Sequence, residues 1–172
     1  GGILTSGGID VTVDSCTFSQ NSAAFFGGGI SVGEPDGEGI KEANLNVSRS
    51  VFLLNTSIQG GGINYGNVDG SVVNSLFYNN SATVDPNNGG GNGGAISINI
   101  SGSEPGTVSL INNTMGNNSG ETADNVAVFQ DSIAMATVNM QNNLLYGGIS
   151  SNPNVAVEAG TPDIVSLGGN LL

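Results

Sequence analysis

The chain has 172 residues and a formal charge of −12, with Lys41 and Arg49 as its only cations, one cysteine and no histidine. That balance excludes nucleic acid and anionic membrane surfaces as partners, because both require clustered Lys and Arg, and it leaves no ligand set for zinc. A hydrophobic fraction of 37%, with Gly, Asn and Ser between short β-branched runs, predicts an all-β fold with frequent tight corners.

The first unit reads Gly1-Gly2-Ile3, then Val11 and Val13, the polar pair Ser15-Cys16, Phe18 and Asn21. Apolar residues two apart on a short strand face one side, so Val11 and Val13 predict a strand with an inward face. Cys16 falls in the turn before Phe18, where an inert, partly buried thiol is expected. Phe25-Phe26 precede Gly27-Gly28-Gly29; one ring is expected to turn inward, the other being a candidate contact for a sugar or a partner chain.

The same order then returns. The second unit has Gly28-Gly29-Ile30, Leu45, Val47, Arg49-Ser50, Phe52 and Asn55; the third has Gly61-Gly62-Ile63, Gly70, Val72, Asn74-Ser75, Phe77 and Asn80. The fourth has Gly93-Gly94-Ala95-Ile96, Val108, Leu110, Asn112-Asn113, Met115 and Asn118. In a fifth, Val126-Ala127-Val128 replaces the glycine motif, and Val138, Met140, Asn142-Asn143 and Leu145 follow. Gly70 is the single break in the inward columns, and Val73 beside it is the candidate compensation.

Successive large apolar positions, from Phe18 to Leu145, are 34, 25, 38 and 30 residues apart. A rigid unit with variable excursions fits these spacings better than a helical repeat of fixed length. The excursions fall at 33–39 and 85–92, both clusters of Gly, Pro, Asn and Asp that predict solvent loops. The solution that buries every column is a single right-handed parallel β-helix over residues 1–172, of about five coils, each stacked at about 4.8 Å on the last. Asparagine tolerates left-handed corners and can bond its equivalent one coil away, so the corners are expected to carry Asn ladders.

The paired motifs, a glycine pair followed by an aliphatic residue and then FxxN, resemble those of polymorphic outer-membrane-protein-like autotransporter passengers of bacteria, and of bacterial right-handed β-helix repeat proteins more broadly. The tail from Asn142 to Leu172 is similar to the closing coils of secreted choice-of-anchor Q proteins. These resemblances imply a cell-surface or extracellular location and adhesion. With no apolar run long enough to span a bilayer, the chain is read as a segment of a longer exported protein.

Parallel β-helices also carry polysaccharide lyases and glycosidases, so enzyme chemistry needs weighing. Hydrolysis needs two carboxylates on one face at a defined separation; Asp10 and Asp14 have no acid at the aligned positions of the second unit, and Asp69 has no partner in register. Arg49 is expected outward, and no catalytic residue is assigned. Glu34, Asp36, Glu38 and Glu42 crowd one glycine-containing loop and form a weak candidate calcium site, the alternative being a flexible acidic loop. Six Asn-x-Ser/Thr sequons occur, at Asn46, Asn55, Asn79, Asn99, Asn112 and Asn117, some at ladder positions whose side chains would be occupied. The expected function is a non-enzymatic scaffold or adhesin segment that presents loops and one flank to a glycan or protein receptor. The alternatives are a carbohydrate-active enzyme and a filament subunit that self-associates through open coil ends.

Overall fold

The computed structural model describes residues 2–33, 43–86, 89–101, 104–130, 135–148 and 152–172. Their architecture is a parallel β-helix built from three long sheets. The first sheet stacks Ile3–Thr5, Ile30–Gly33, Ile63–Gly66, Ile96–Ile100, Val126–Gln130 and Val155–Ala159. The second stacks Val11–Asp14, Asn44–Ser48, Asp69–Val73, Gly106–Ile111, Ala136–Gln141 and Asp163–Ser166. The third stacks Thr17–Ser19, Val51–Leu53, Leu76–Tyr78, Thr114–Gly116 and Leu144–Tyr146.

Each turn of the chain contributes one strand to each sheet, giving five full turns. A sixth adds two strands and a bridge from Leu171 to Leu144. That sixth turn has Pro153-Asn154 where the glycine pair would precede its first-sheet strand, and it lacks FxxN, which is why sequence periodicity alone passes over it. The predicted loop at 85–92 contains a small antiparallel pair, Val84–Asp85 with Gly89–Gly90.

The register follows the repeat. Val11, Leu45, Gly70, Val108, Val138 and Ile164 form one column, and Val13, Val47, Val72, Leu110 and Met140 the next. Phe18, Phe52, Phe77, Met115 and Leu145 form a third. The first three rings lie nearly parallel, with centroids 5.0 Å apart for Phe18–Phe52 and 4.6 Å for Phe52–Phe77. Columns of like apolar side chains inside a stack fill space without mismatch, and burial of this area is the main favourable term.

Gly70 is not compensated by Val73, whose partner in register is the outward Ser48. The space is filled by Tyr65 from the first sheet, fully buried, whose hydroxyl lies 3.3 Å from the carbonyl oxygens of Leu45 and Ser71. A Cβ on Gly70 would stand 1.9 Å from the Leu45 carbonyl, so this column cannot take its own apolar side chain in the third turn. Burial raises the phenol pKa far above its ordinary value, and Tyr65 acts as a neutral donor across the core.

The glycine pair has a steric reason. A Cβ on Gly2, Gly29 or Gly62 would come within 3 Å of the ring of Phe18, Phe52 or Phe77 of its own turn. In the fourth turn Ala95 takes the glycine's place and Met115 the phenylalanine's; in the fifth, Asn125 stands opposite Leu145. The two motifs recur together because they share one volume.

Candidate functional site

Every corner between the second and third sheets is made by two residues with opposite tasks. The first, Ser15, Arg49, Asn74, Asn112 or Asn142, adopts positive φ, between 47° and 55°, and places its side chain outside. The second points in and builds a ladder: Cys16 N–H donates to Ser50 Oγ, Ser50 N–H to Ser75 Oγ, Ser75 N–H to Asn113 Oδ1, and Asn113 N–H to Asn143 Oδ1. Asn143 in turn donates to Asn170 of the sixth turn.

A second ladder follows the third sheet, where the asparagine of each FxxN sits. Asn21, Asn55, Asn80 and Asn118 bond in sequence, at 2.8–3.0 Å for each backbone N–H to the next Oδ1. In the fifth turn that position is Gly148, and Asn118 Nδ2 donates instead to Asn125 Oδ1 at 2.7 Å. These bonds satisfy corner groups that strand pairing leaves over, inside a region closed to water.

Outside the first of these corners runs a shallow groove, lined by Arg49, Val51, Asn74, Leu76, Asn112 and Thr114, with Ser50 and Ser75 beneath. Asn74 and Asn112 are exposed, one turn apart, and their side-chain amides are not engaged by the protein. Arg49 is 63% exposed, as its corner position predicts, and its guanidinium pairs with the Asp14 carboxylate.

The Asp14 carboxyl is held below its ordinary value of 3.8, chiefly by the Ser48 hydroxyl; desolvation, the next largest effect, opposes this, and Arg49 and the Ser15 hydroxyl add to the lowering. A depressed folded-state value stabilises the fold above the unfolded-state value, and that contribution disappears as pH falls through the folded one. Asp14→Asn is therefore expected to destabilise modestly near neutrality, with the difference shrinking as pH falls below the ordinary carboxyl value of 3.8. Urea midpoints of both proteins across pH 2.5–7 check this, and an equal offset at every pH would refute it.

The other acids are spread rather than gathered. Asp10 Oδ1 accepts from the Asn44 backbone and side chain, at 2.8 and 3.0 Å, and Asp69 Oδ1 accepts from Thr107 N–H at 2.6 Å. Asp10 and Asp69 thus tie a strand start to the next turn. Among the described residues no group of three potential metal-binding side chains comes together. The candidate calcium ligands Glu34, Asp36, Glu38 and Glu42 lie outside the described residues, as does Lys41.

Cys16 corrects an expectation: it is exposed, and its Sγ donates to the Asp14 carbonyl at 3.2 Å. Phe25 is 52% exposed and Phe26 half-buried, their centroids 6.2 Å apart, so one ring does face out. Of the sequons, Asn55 and Asn99 are buried and bonded, and Asn117 donates to the Tyr78 hydroxyl; Asn46 and Asn112 stand exposed.

Sequence reading located the groove's residues as corner positions but missed the groove itself. Its signal was present: the first residue of each corner pair is polar, and in three of the five turns the neighbour two positions on, Val51, Leu76 or Leu144, is apolar and not fully buried. No helix of the described residues is long and apolar enough to cross a membrane. Comparison with family models, with curated proteins and with solved structures gives no match.

Proposed function

We propose that the chain is a non-enzymatic scaffold or adhesin segment of a cell-surface or secreted protein, a rigid stack that presents its loops and one flank to a glycan or protein receptor. The observation that carries this reading is the way the stack uses its polar groups. Asp10, Asp14 and Asp69 bond the neighbouring turn, and the corner asparagines lock turn to turn. Such a solid rod gives reach and surface, and its ligand contacts lie on the outside. The glycine-pair and FxxN motifs, with their resemblance to bacterial exported β-helix proteins, support the extracellular location, and the acidic loop at 34–42 supports a calcium-dependent contact.

The second reading is a subunit that assembles into a filament. One experiment separates the readings. The purified chain is passed over an immobilised glycan array with and without calcium, the eluate is assayed for shortened sugars, and sedimentation is followed over a range of concentration. Retention of intact glycans by a monomer is the expected result. Shortened sugars would overturn the non-enzymatic reading, and mass growing with concentration without retention would favour the filament.

A further inference from the structure

We infer that the groove outside the corner between the second and third sheets is a binding site for a neutral, extended polysaccharide lying along the stack axis. The inference rests on the adhesin reading and names its ligand and its flank. Three features of the groove point the same way.

The first is repeat matching. Asn74 and Asn112 occupy the same corner position one turn apart, so their amides repeat at about 4.8 Å along the axis. A sugar residue in an extended glycan advances by a distance of the same order. Each side-chain amide offers both a donor and an acceptor, which suits a hydroxyl that does the same. Val51 and Leu76 supply an apolar wall beside the amides, suited to the C–H face of a pyranose ring.

The second is what the groove withholds. Peptide capture by strand addition needs free main-chain donors and acceptors. Here the amides of Arg49, Asn74 and Asn112 donate to the carbonyls of Val73, Ile111 and Gln141, and those of Ser50 and Ser75 donate into the ladder. Val51, Leu76 and Thr114 donate to the preceding turn. No main-chain N–H of these groove residues is left free to pair with an added strand.

The third is charge. Arg49 is the only cation lining the groove, and Asp14 already neutralises it. With a formal charge of −12 on the whole chain, a polyanion such as a polyuronate would be repelled.

The test titrates the intact chain with neutral β-1,4-linked hexasaccharides of glucose, mannose and xylose, and with polygalacturonate, by calorimetry. The variant Asn74→Gly/Asn112→Gly keeps the left-handed corners open to the backbone while deleting both amides. Thr12→Ala, exposed on the neighbouring sheet face, is the control. The original chain is expected to bind at least one neutral hexasaccharide. Loss of two neutral hydrogen bonds should weaken the double variant about thirtyfold, with its unfolding midpoint unchanged and the control unaffected. Failure of every neutral hexasaccharide to bind, or equal binding by the double variant, overturns the inference. Binding of polygalacturonate in place of the neutral hexasaccharides would overturn it too, while leaving the adhesin reading standing.

Discussion

Replacing Asn80 with alanine is expected to destabilise the fold by about 4 kcal/mol, more than any exposed asparagine can contribute. Asn80 is fully buried, and its amide makes four bonds. Oδ1 accepts from the backbone N–H and the Nδ2 of Asn55 at 3.0 and 2.9 Å, while Nδ2 donates to the Phe52 carbonyl at 2.9 Å and to Asn118 Oδ1 at 3.0 Å. Alanine removes all four and leaves the Asn55 N–H without its acceptor where water cannot reach. Each orphaned buried group costs about 1–3 kcal/mol, and two of them carry most of the expected loss. Asparagine to aspartate is no remedy, since it keeps the acceptor, loses the donors and buries a charge. Asn74→Gly is the matched comparison: the same residue type, an exposed corner, and an expected change within about 0.5 kcal/mol. Urea denaturation of the two variants decides the matter, and an Asn80→Ala loss below 1 kcal/mol would show that the ladder contributes register without stability.

Because turns touch only their neighbours, a broken rung in the third turn also separates the turns on either side. The contrast between the two asparagines shows how much of the fold could be read in advance. The columns from Phe18 to Leu145 and from Val13 to Met140 were legible because an inward strand face imposes period two within a turn, and stacking imposes the same side-chain class between turns. The ladder corners were legible as polar pairs, but not the division of labour inside each pair. Asn112 and Asn113 are the same residue, and only the backbone angle sends one outward and the other in.

Three features escaped the sequence for physical reasons. Tyr65 fills the gap at Gly70 from a different sheet, a relation across the core that no linear period encodes. Ser31, Asn64, Ser97 and Asn99 alternate with the inward residues of the first sheet and so read as a solvated face. They are buried, and Asn99 Nδ2 bonds Asn64 Oδ1 at 2.7 Å and Ser97 Oγ at 3.1 Å. The groove is a shape, formed between an amide column and an apolar column, and neither column alone announces it. The acidic loop that drew attention as a calcium candidate falls outside the described residues, so the structural argument for function rests on the flank.

Gly62 and Phe77 supply the sharpest test of why the two motifs travel together. Gly62→Ala is expected to cost about 2–3 kcal/mol, the range of an overpacked core, because its Cβ would sit 2.7 Å from the Ala95 carbonyl oxygen and 2.9 Å from Phe77 Cδ1. Phe77→Met alone should cost about 1–2 kcal/mol, since it gives up the ring stacked on Phe52 at 4.6 Å while nearly keeping the volume. If the costs were independent they would add. The fourth turn argues otherwise, for there Ala95 and Met115 occupy the same two positions and both are fully buried. Methionine's unbranched, flexible chain can bend away from the new methyl group where a flat ring cannot. The double variant should therefore be more stable than the sum of the single losses predicts, by about 1 kcal/mol or more. The clash with the Ala95 carbonyl is untouched by the second substitution, so recovery is expected to be partial. Strict additivity in a denaturation cycle would mean that the glycine is required by the neighbouring backbone alone, and that the recurrence of phenylalanine beside it has another cause.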